Sequence, residues 1–132
     1  MSYSTYIVKF ENNDMVPMSF TEIESILTQH GTIVEGEFGK EFIHNSEEYI
    51  FEYCSLEMDE EGKVSGLSFN RPIHHSPFPE FIFDLLAIEG SCFFGTDMEF
   101  VLARTDRSRH LPEGFPNEVI VVESPTDRWP LD

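Results

Sequence analysis

The sequence predicts one α+β domain over residues 1–132, in which a mainly antiparallel sheet of about five or six strands packs against two helices. Short runs rich in β-branched and aromatic residues recur along the chain, separated by turn residues, as in an antiparallel sheet. Two other segments place apolar residues at helical spacing. The chain has 132 residues, of which 40% are hydrophobic, and this is enough to bury one core.

The first part of the chain is predicted to form a strand, a helix and a second strand. Tyr3–Phe10 is rich in β-branched and aromatic residues, which is typical of a strand. Ser19 and Thr21 are each followed three residues later by a glutamate, which is the capping-box pattern that begins helices. Gly31 stands where a glycine commonly ends a helix, and a further strand is predicted over 32–37.

A hairpin is predicted in the middle of the chain, after a glycine- and acid-rich stretch, 36–46, that is expected to be loop or edge strand. The turn Asp59–Gly62 has aspartate first and glycine fourth, which fits a three-residue hairpin loop with a glycine bulge. A regular ladder from this turn pairs Tyr53 with Phe69. The predicted core face consists of alternate residues: Tyr49, Phe51, Tyr53, Leu67 and Phe69. The other face then carries Glu48, Ile50, Glu52, Leu56, Met58, Ser68 and Asn70.

The second half of the chain is predicted to add a helix and three strands. Pro79 suits the first turn of a helix that is expected to continue to Glu89, before a glycine. Strands are predicted over 91–94, 99–104 and 118–123, where β-branched and aromatic residues concentrate.

The charge is strongly acidic and unevenly distributed. Aspartate and glutamate number 25 against eight lysines and arginines, a net charge of −17. Residues 1–70 hold 14 acids and three bases, a charge of −11, and residues 71–132 hold 11 acids and five bases, a charge of −6. Such a charge disfavours nucleic acid and anionic membranes as partners and favours a basic protein.

No catalytic or metal-binding motif is found. His74 and His75 are adjacent, and no spacing typical of a zinc site accompanies them, so we predict no metal and no cofactor. Cys54 and Cys92 are predicted to be reduced, with Cys92 a small core residue. The N-terminus lacks the features of an export signal, and no apolar run reaches the roughly 20 residues of a membrane helix, so a cytoplasmic location is expected.

A resemblance follows from three segments: DEEGKVSGLSFNRP, PFPEFIFDLLAIEG and HLPEGFP. Together they make the stretch Ser46–Pro116 similar to small immunity proteins of bacterial polymorphic-toxin systems, the antidotes of contact-dependent or type VI secreted effectors. The resemblance implies a non-enzymatic protein that binds and neutralises a cognate toxin. Contact residues vary within that group, so none is carried over to this chain.

The acidic hairpin is the predicted binding surface, because apolar residues surrounded by charge are typical of a protein interface. The predicted contact residues are Glu47, Glu48, Ile50, Glu52, Leu56, Asp59, Glu60 and Glu61. The toxin is expected to be basic, and a nuclease is one possibility, because phosphate-binding sites are cationic. Two alternatives stay open: a regulatory or adaptor module, and a small hydrolase that uses dispersed carboxylates and a histidine.

Overall fold

A computed structural model of the chain describes residues 4–12, 14–37, 39–45, 50–51, 53–72, 77–95, 101–104 and 119–124, with Tyr53 and Val119 described by their backbones alone. The fold is α+β, with two helices and a mostly antiparallel sheet. The elements are β1 Ser4–Glu11, β2 Asp14–Val16, α1 Phe20–Leu27, β3 Gly31–Gly36, β4 Gly39–His44, β5 Tyr53–Met58, β6 Val64–Asn70, α2 Phe78–Leu85, β7 Ser91–Gly95, β8 Val101–Arg104 and β9 Val119–Val122.

The described residues form one sheet of nine strands, so the prediction of five or six was too low. The strand order is β3-β4-β5-β6-β1-β7-β8-β9, with β2 also paired to β1, and only β8 and β9 run parallel. The sequence analysis missed β2, which has three residues, and left β4 as loop or edge. β4 is an interior strand because Phe42 pairs with Ile33 on one side and Cys54 on the other.

Both helices begin as the sequence predicts and end earlier than it suggests. The Ser19 hydroxyl accepts a hydrogen bond from the Glu22 backbone N–H at 3.4 Å, which caps α1. Pro79 lies in the first turn of α2, where its missing N–H costs nothing. α2 ends at Leu85 because the N–H groups of Ala87 and Ile88 bond three residues back, and Gly90 at φ +83° then redirects the chain.

A smaller buried cluster is made by Cys92, Val101 and Ala103, and the larger core lies between the two helices and one face of the sheet. The centre of the larger core is built from six phenylalanines whose rings contact one another. They come from β4, β6, β7, α2 and the segment before β5: Phe42, Phe51, Phe69, Phe78, Phe81 and Phe93. Phe42 and Phe81 stack with ring centroids 5.2 Å apart, which joins β4 to α2. Each buried phenylalanine contributes about 1.5–3 kcal/mol, so this cluster is a main source of stability. Neither described helix is long and apolar enough to cross a bilayer.

The hairpin turn is as predicted, but the predicted register is wrong. The Asp59 N–H donates to the Lys63 carbonyl at 2.8 Å, and Gly62 has φ +81°. Met58 pairs with Val64, whereas Glu57 pairs with Gly66, so Ser65 is an extra residue, a β-bulge. Beyond it every pairing moves by one residue.

This shift changes which side chains face the core. Phe69 lies opposite Cys54, and the backbone of Tyr53 lies opposite Asn70, so the predicted pair of Tyr53 and Phe69 does not form. Because side chains alternate along a strand, Cys54 and its neighbour-but-one Leu56 face the core.

Candidate functional site

The face of the sheet opposite the helices carries the most distinctive surface among the described residues. α1 and α2 both contribute side chains to the large core on the other face. The register places three cross-strand neighbours side by side on the face away from the helices, namely Ser68, Tyr6 and Phe94. Each of the three is half-buried. This central band is therefore partly accessible to a ligand.

A cleft of about 580 Å³ lies on this face, and we name it the sheet cleft. Its polar lining residues come from β1, β5 and β6: Ser4, Glu57, Ser65, Ser68 and Asn70. Its apolar lining comes from Tyr6, Val8 and Phe94; Gly66 and Leu67 also line it, although the Leu67 side chain is buried in the core on the other face. A concave site with an apolar part and a few convergent polar groups is the usual form of a binding site.

Gly66 explains why the cleft exists. Gly66 pairs with Glu57 on β5, and the β1–β6 register continues to bring it beside Val8. A Cβ atom at Gly66 would lie 3.3 Å from the carbonyl oxygen of Ile7 and 3.4 Å from a methyl carbon of Val8. The glycine thus permits close approach of the two strands and leaves the floor of the cleft bare.

The polar groups of the cleft include both hydrogen-bond acceptors and hydrogen-bond donors. The Ser65 hydroxyl donates to the Glu57 carbonyl at 3.0 Å, and the Ser4 hydroxyl donates to the Asn70 side-chain oxygen at 3.3 Å. With its hydrogen engaged, the Ser65 oxygen keeps lone pairs that can accept, and the Asn70 side-chain amide carries two N–H donors. The exposed carboxylate of Glu57 adds a negative charge, and none of the described lining residues is basic.

The acidic turn lies at the end of the same hairpin, and its residues differ in role. The Asp59 carboxylate accepts from the backbone N–H groups of Glu61 and Lys63, both at 2.9 Å, so it stabilises the turn itself. Glu60 and Glu61 are exposed. The Lys63 ammonium lies 3.8 Å from the Glu61 carboxylate, and both side chains are mostly exposed, so this ion pair is weak.

Two of the predicted contact residues belong to the core and cannot contact a partner in this fold. Ile50 is 2% exposed and Leu56 is 4% exposed. The β-bulge at Ser65 is the physical reason that Leu56 is buried, because the shifted register turns the even-numbered side chains of β5 toward the core. Of the others, Asp59, Glu60 and Glu61 lie at the turn. Glu47, Glu48 and Glu52 lie outside the described residues.

A histidine–aspartate pair joins the two helices on the core side of the sheet. His30 Nε2 lies 2.7 Å from Asp84 Oδ2, which ties the end of α1 to α2. The His30 and His44 rings lie 5.7 Å apart, and each packs against Phe81. Burial, and secondarily the charge of His30, lower the pKa of His44. This arrangement favours a neutral His44 and links stability to pH.

The remaining residues that the sequence singled out do not form a second site among the described residues. Cys54 and Cys92 are buried, and burial raises the pKa of both thiols, that of Cys92 to about 12. In the described ranges no group of three or more His, Cys, Asp or Glu side chains is arranged to hold a metal ion. His74 and His75 lie outside those ranges. The Arg104 guanidinium lies 4.2 Å from the centre of the Phe83 ring.

The sequence analysis missed the cleft because no short motif encodes it. Tyr6 and Phe94 are 88 positions apart in the sequence, and their rings lie 5.6 Å apart only because β1 pairs with β7. One signal was present in the chain. Gly66 is isolated within a strand pattern, and such a glycine commonly marks a bulge or a close backbone approach. Here both occur at neighbouring positions.

Comparison with known proteins gives no relative. No family model, no curated protein and no solved structure matches this chain.

Proposed function

We propose that this chain is a stoichiometric inhibitor, an immunity protein that binds and neutralises a basic protein toxin. The observation that carries the proposal is the sheet cleft. It sets half-buried aromatic side chains beside the exposed carboxylate of Glu57, on the face of the sheet away from both helices. An apolar centre with a charged margin is the arrangement of a protein-binding surface.

The charge of the chain supports a cationic partner. The net charge is −17, and the exposed Glu60 and Glu61 extend the carboxylates of the cleft toward the hairpin turn. Long-range attraction of this kind raises association rates by about 10-fold or more at low salt and suppresses binding of anionic competitors. Nucleic acid and anionic membranes are therefore poor candidates, and a basic protein is the better one.

Inhibition would then follow because the bound protein covers the surface that the toxin needs for its substrate. Toxins that act on nucleic acid need a cationic surface for the phosphate backbone, and an acidic protein can cover such a surface. In this proposal Glu60 and Glu61 speed the encounter, while Tyr6 and Phe94 determine how long the complex lasts. Apolar anchors of this kind act mainly on dissociation.

The test asks first whether a large secreted effector is encoded directly upstream of this chain's gene, and then whether this chain binds the C-terminal domain of that effector. Co-expression followed by size-exclusion chromatography should give a 1:1 complex, and a toxicity assay should show protection. Surface-immobilised kinetics at two ionic strengths then assign roles to the residues. The double variant Glu60→Gln/Glu61→Gln should lower the association rate about 3- to 10-fold at low salt. Tyr6→Ala should instead raise the dissociation rate.

The matched control is Glu22→Gln/Glu24→Gln, which removes the same charge from exposed positions of α1, a helix that packs on the core face of the sheet. A distinctly smaller loss in this control supports the proposed surface. An equal loss shows that only the net charge matters and refutes the surface. Absence of both complex and protection refutes the inhibitor function.

A further inference from the structure

We infer that the sheet cleft binds a single arginine side chain of the partner, held by Glu57 and the aromatic pair Tyr6 and Phe94. This inference rests on the proposed function, since it names the chemistry that the partner presents. The bare floor at Gly66 is its starting point. Glu57 and Val8 lie on the two strands that flank Gly66, so their backbones are about 10 Å apart, and Gly66 places no side chain between them.

The Glu57 carboxylate and the Ser65 hydroxyl oxygen give the cleft acceptors for a ligand that donates hydrogen bonds. The hydroxyl hydrogen of Ser65 is already engaged with the Glu57 carbonyl, so the Ser65 oxygen can accept a hydrogen bond from a ligand. A guanidinium has five N–H donors and no acceptor, which matches this lining. An anion would meet the exposed Glu57 carboxylate and the Ser65 lone pairs, and is therefore excluded by charge.

The aromatic part of the cleft favours arginine over lysine. The Tyr6 and Phe94 rings lie 5.6 Å apart with planes inclined at 33°, and both are half-buried, so part of each ring remains open. A planar guanidinium stacks on such rings and keeps its edge free for a carboxylate, whereas an ammonium is a more strongly hydrated point charge. The protein already contains this type of contact, because Arg104 packs over the Phe83 ring at 4.2 Å.

The charge of the cleft matches this occupant. Glu57 is exposed, and no described residue of the lining is basic. A bound guanidinium would therefore not compete with a lysine or arginine of the described lining for the Glu57 carboxylate. A partner arginine would thus add a charge-assisted hydrogen bond that a neutral side chain of the same shape cannot make.

The test uses three small probes that isolate these features: N-acetyl-arginine amide, N-acetyl-lysine amide and N-acetyl-citrulline amide. Citrulline has nearly the shape of arginine without the charge. Titration of the full chain, followed by ¹H–¹⁵N NMR, should give saturable shifts centred on the Gly66 and Ser68 amides. Arginine should bind more tightly than citrulline by about 2- to 5-fold or more, and lysine should fall between them.

Two variants of equal charge separate the cleft from the overall field of the protein. Glu57→Gln should weaken arginine binding about 2- to 5-fold, and Glu24→Gln on α1 should leave it unchanged. Tyr6→Leu should remove the preference of arginine over lysine, and unshifted amides elsewhere in its spectrum establish that the fold is retained. Equal effects of Glu57→Gln and Glu24→Gln, shifts centred away from Gly66, or equal binding of citrulline would each overturn the inference.

Failure of this inference is distinguishable from failure of the proposed function. If the upstream toxin domain binds and protection is seen, but Glu57→Gln and the probes have no effect, the inhibitor function stands and the arginine site is refuted. If the arginine probe binds as expected while no toxin domain does, the site stands and the inhibitor function is refuted.

Discussion

The substitution Leu56→Ala tests the hairpin register, because the register decides whether this side chain is core or surface. Leu56 is 4% exposed, and its backbone lies opposite the buried Leu67 on β6. Removing three carbon groups from a buried position costs about 2.4 kcal/mol in transfer free energy, at about 0.8 kcal/mol for each group. The cavity left behind adds to this, so we expect a loss of about 3–4 kcal/mol, within the usual range for such changes.

The assay is urea unfolding followed by circular dichroism, with thermal unfolding as a second measure. The expected loss corresponds to a fall in Tm of about 10 °C for a chain of this size. Ser55→Ala, at the next position on β5, is the matched control, because Ser55 faces away from the core and its change should stay within about 0.5 kcal/mol. A loss below about 1 kcal/mol for Leu56→Ala, together with a larger loss for Ser55→Ala, would refute the register and restore Leu56 as a surface residue.

Three further predictions follow from the bulge, the half-buried His44 and the buried thiols. Deletion of Ser65 should leave the protein folded at a cost of about 1 kcal/mol in urea unfolding, because the pairings of Met58 with Val64 and of Glu57 with Gly66 then form a regular ladder. His44→Phe should reduce the loss of stability on acidification below about pH 6.5, because burial lowers the pKa of His44 and the unfolded chain therefore takes up this proton first. Cys92, whose pKa burial raises to about 12, should react with a thiol reagent at pH 8 far more slowly in the native protein than in urea.

Each of these predictions has a control and a contrary outcome. Deletion of Leu67 should unfold the hairpin, and equal tolerance of both deletions would show that β6 can slip. For His44, the comparison is the difference in unfolding free energy between wild type and variant at pH 7.5 and 5.5, since relief of acidic repulsion affects both alike. A constant difference would contradict the pKa argument. Equal labelling rates for native and unfolded protein would show that Cys92 is accessible.

The sequence was sufficient to predict the helix starts and the hairpin turn, which depend on local chemistry. Ser19 caps α1, Pro79 begins α2, and Gly62 completes the hairpin turn, because capping, fixed φ and positive φ are properties of a few neighbouring residues. The apolar stripe of α2 is likewise buried as its spacing predicts. The same kind of signal is weak for β4, in which glycine and acidic residues obscure a strand that is defined by its neighbours.

The faces of the hairpin could not be read from the sequence, because a single extra residue reverses them. The composition of β6 does not show that Ser65 is the bulge, and without the bulge Leu56 falls on the surface, where it was predicted to lie. For the same reason the candidate site is the sheet cleft and not the predicted hairpin surface that included Leu56. Its acidic character, the −17 of the whole chain, was evident from composition.

The sequence by itself determined the fold class, the acidic charge, the helix starts and the turn, since each depends on composition or on residues close along the chain. Only the tertiary structure decided the register, the nine-stranded order and the sheet cleft. Tyr6, Glu57 and Phe94 line one cleft because β5, β6, β1 and β7 are neighbours in that order. Long-range strand pairing of this kind is set by the packing of the whole core.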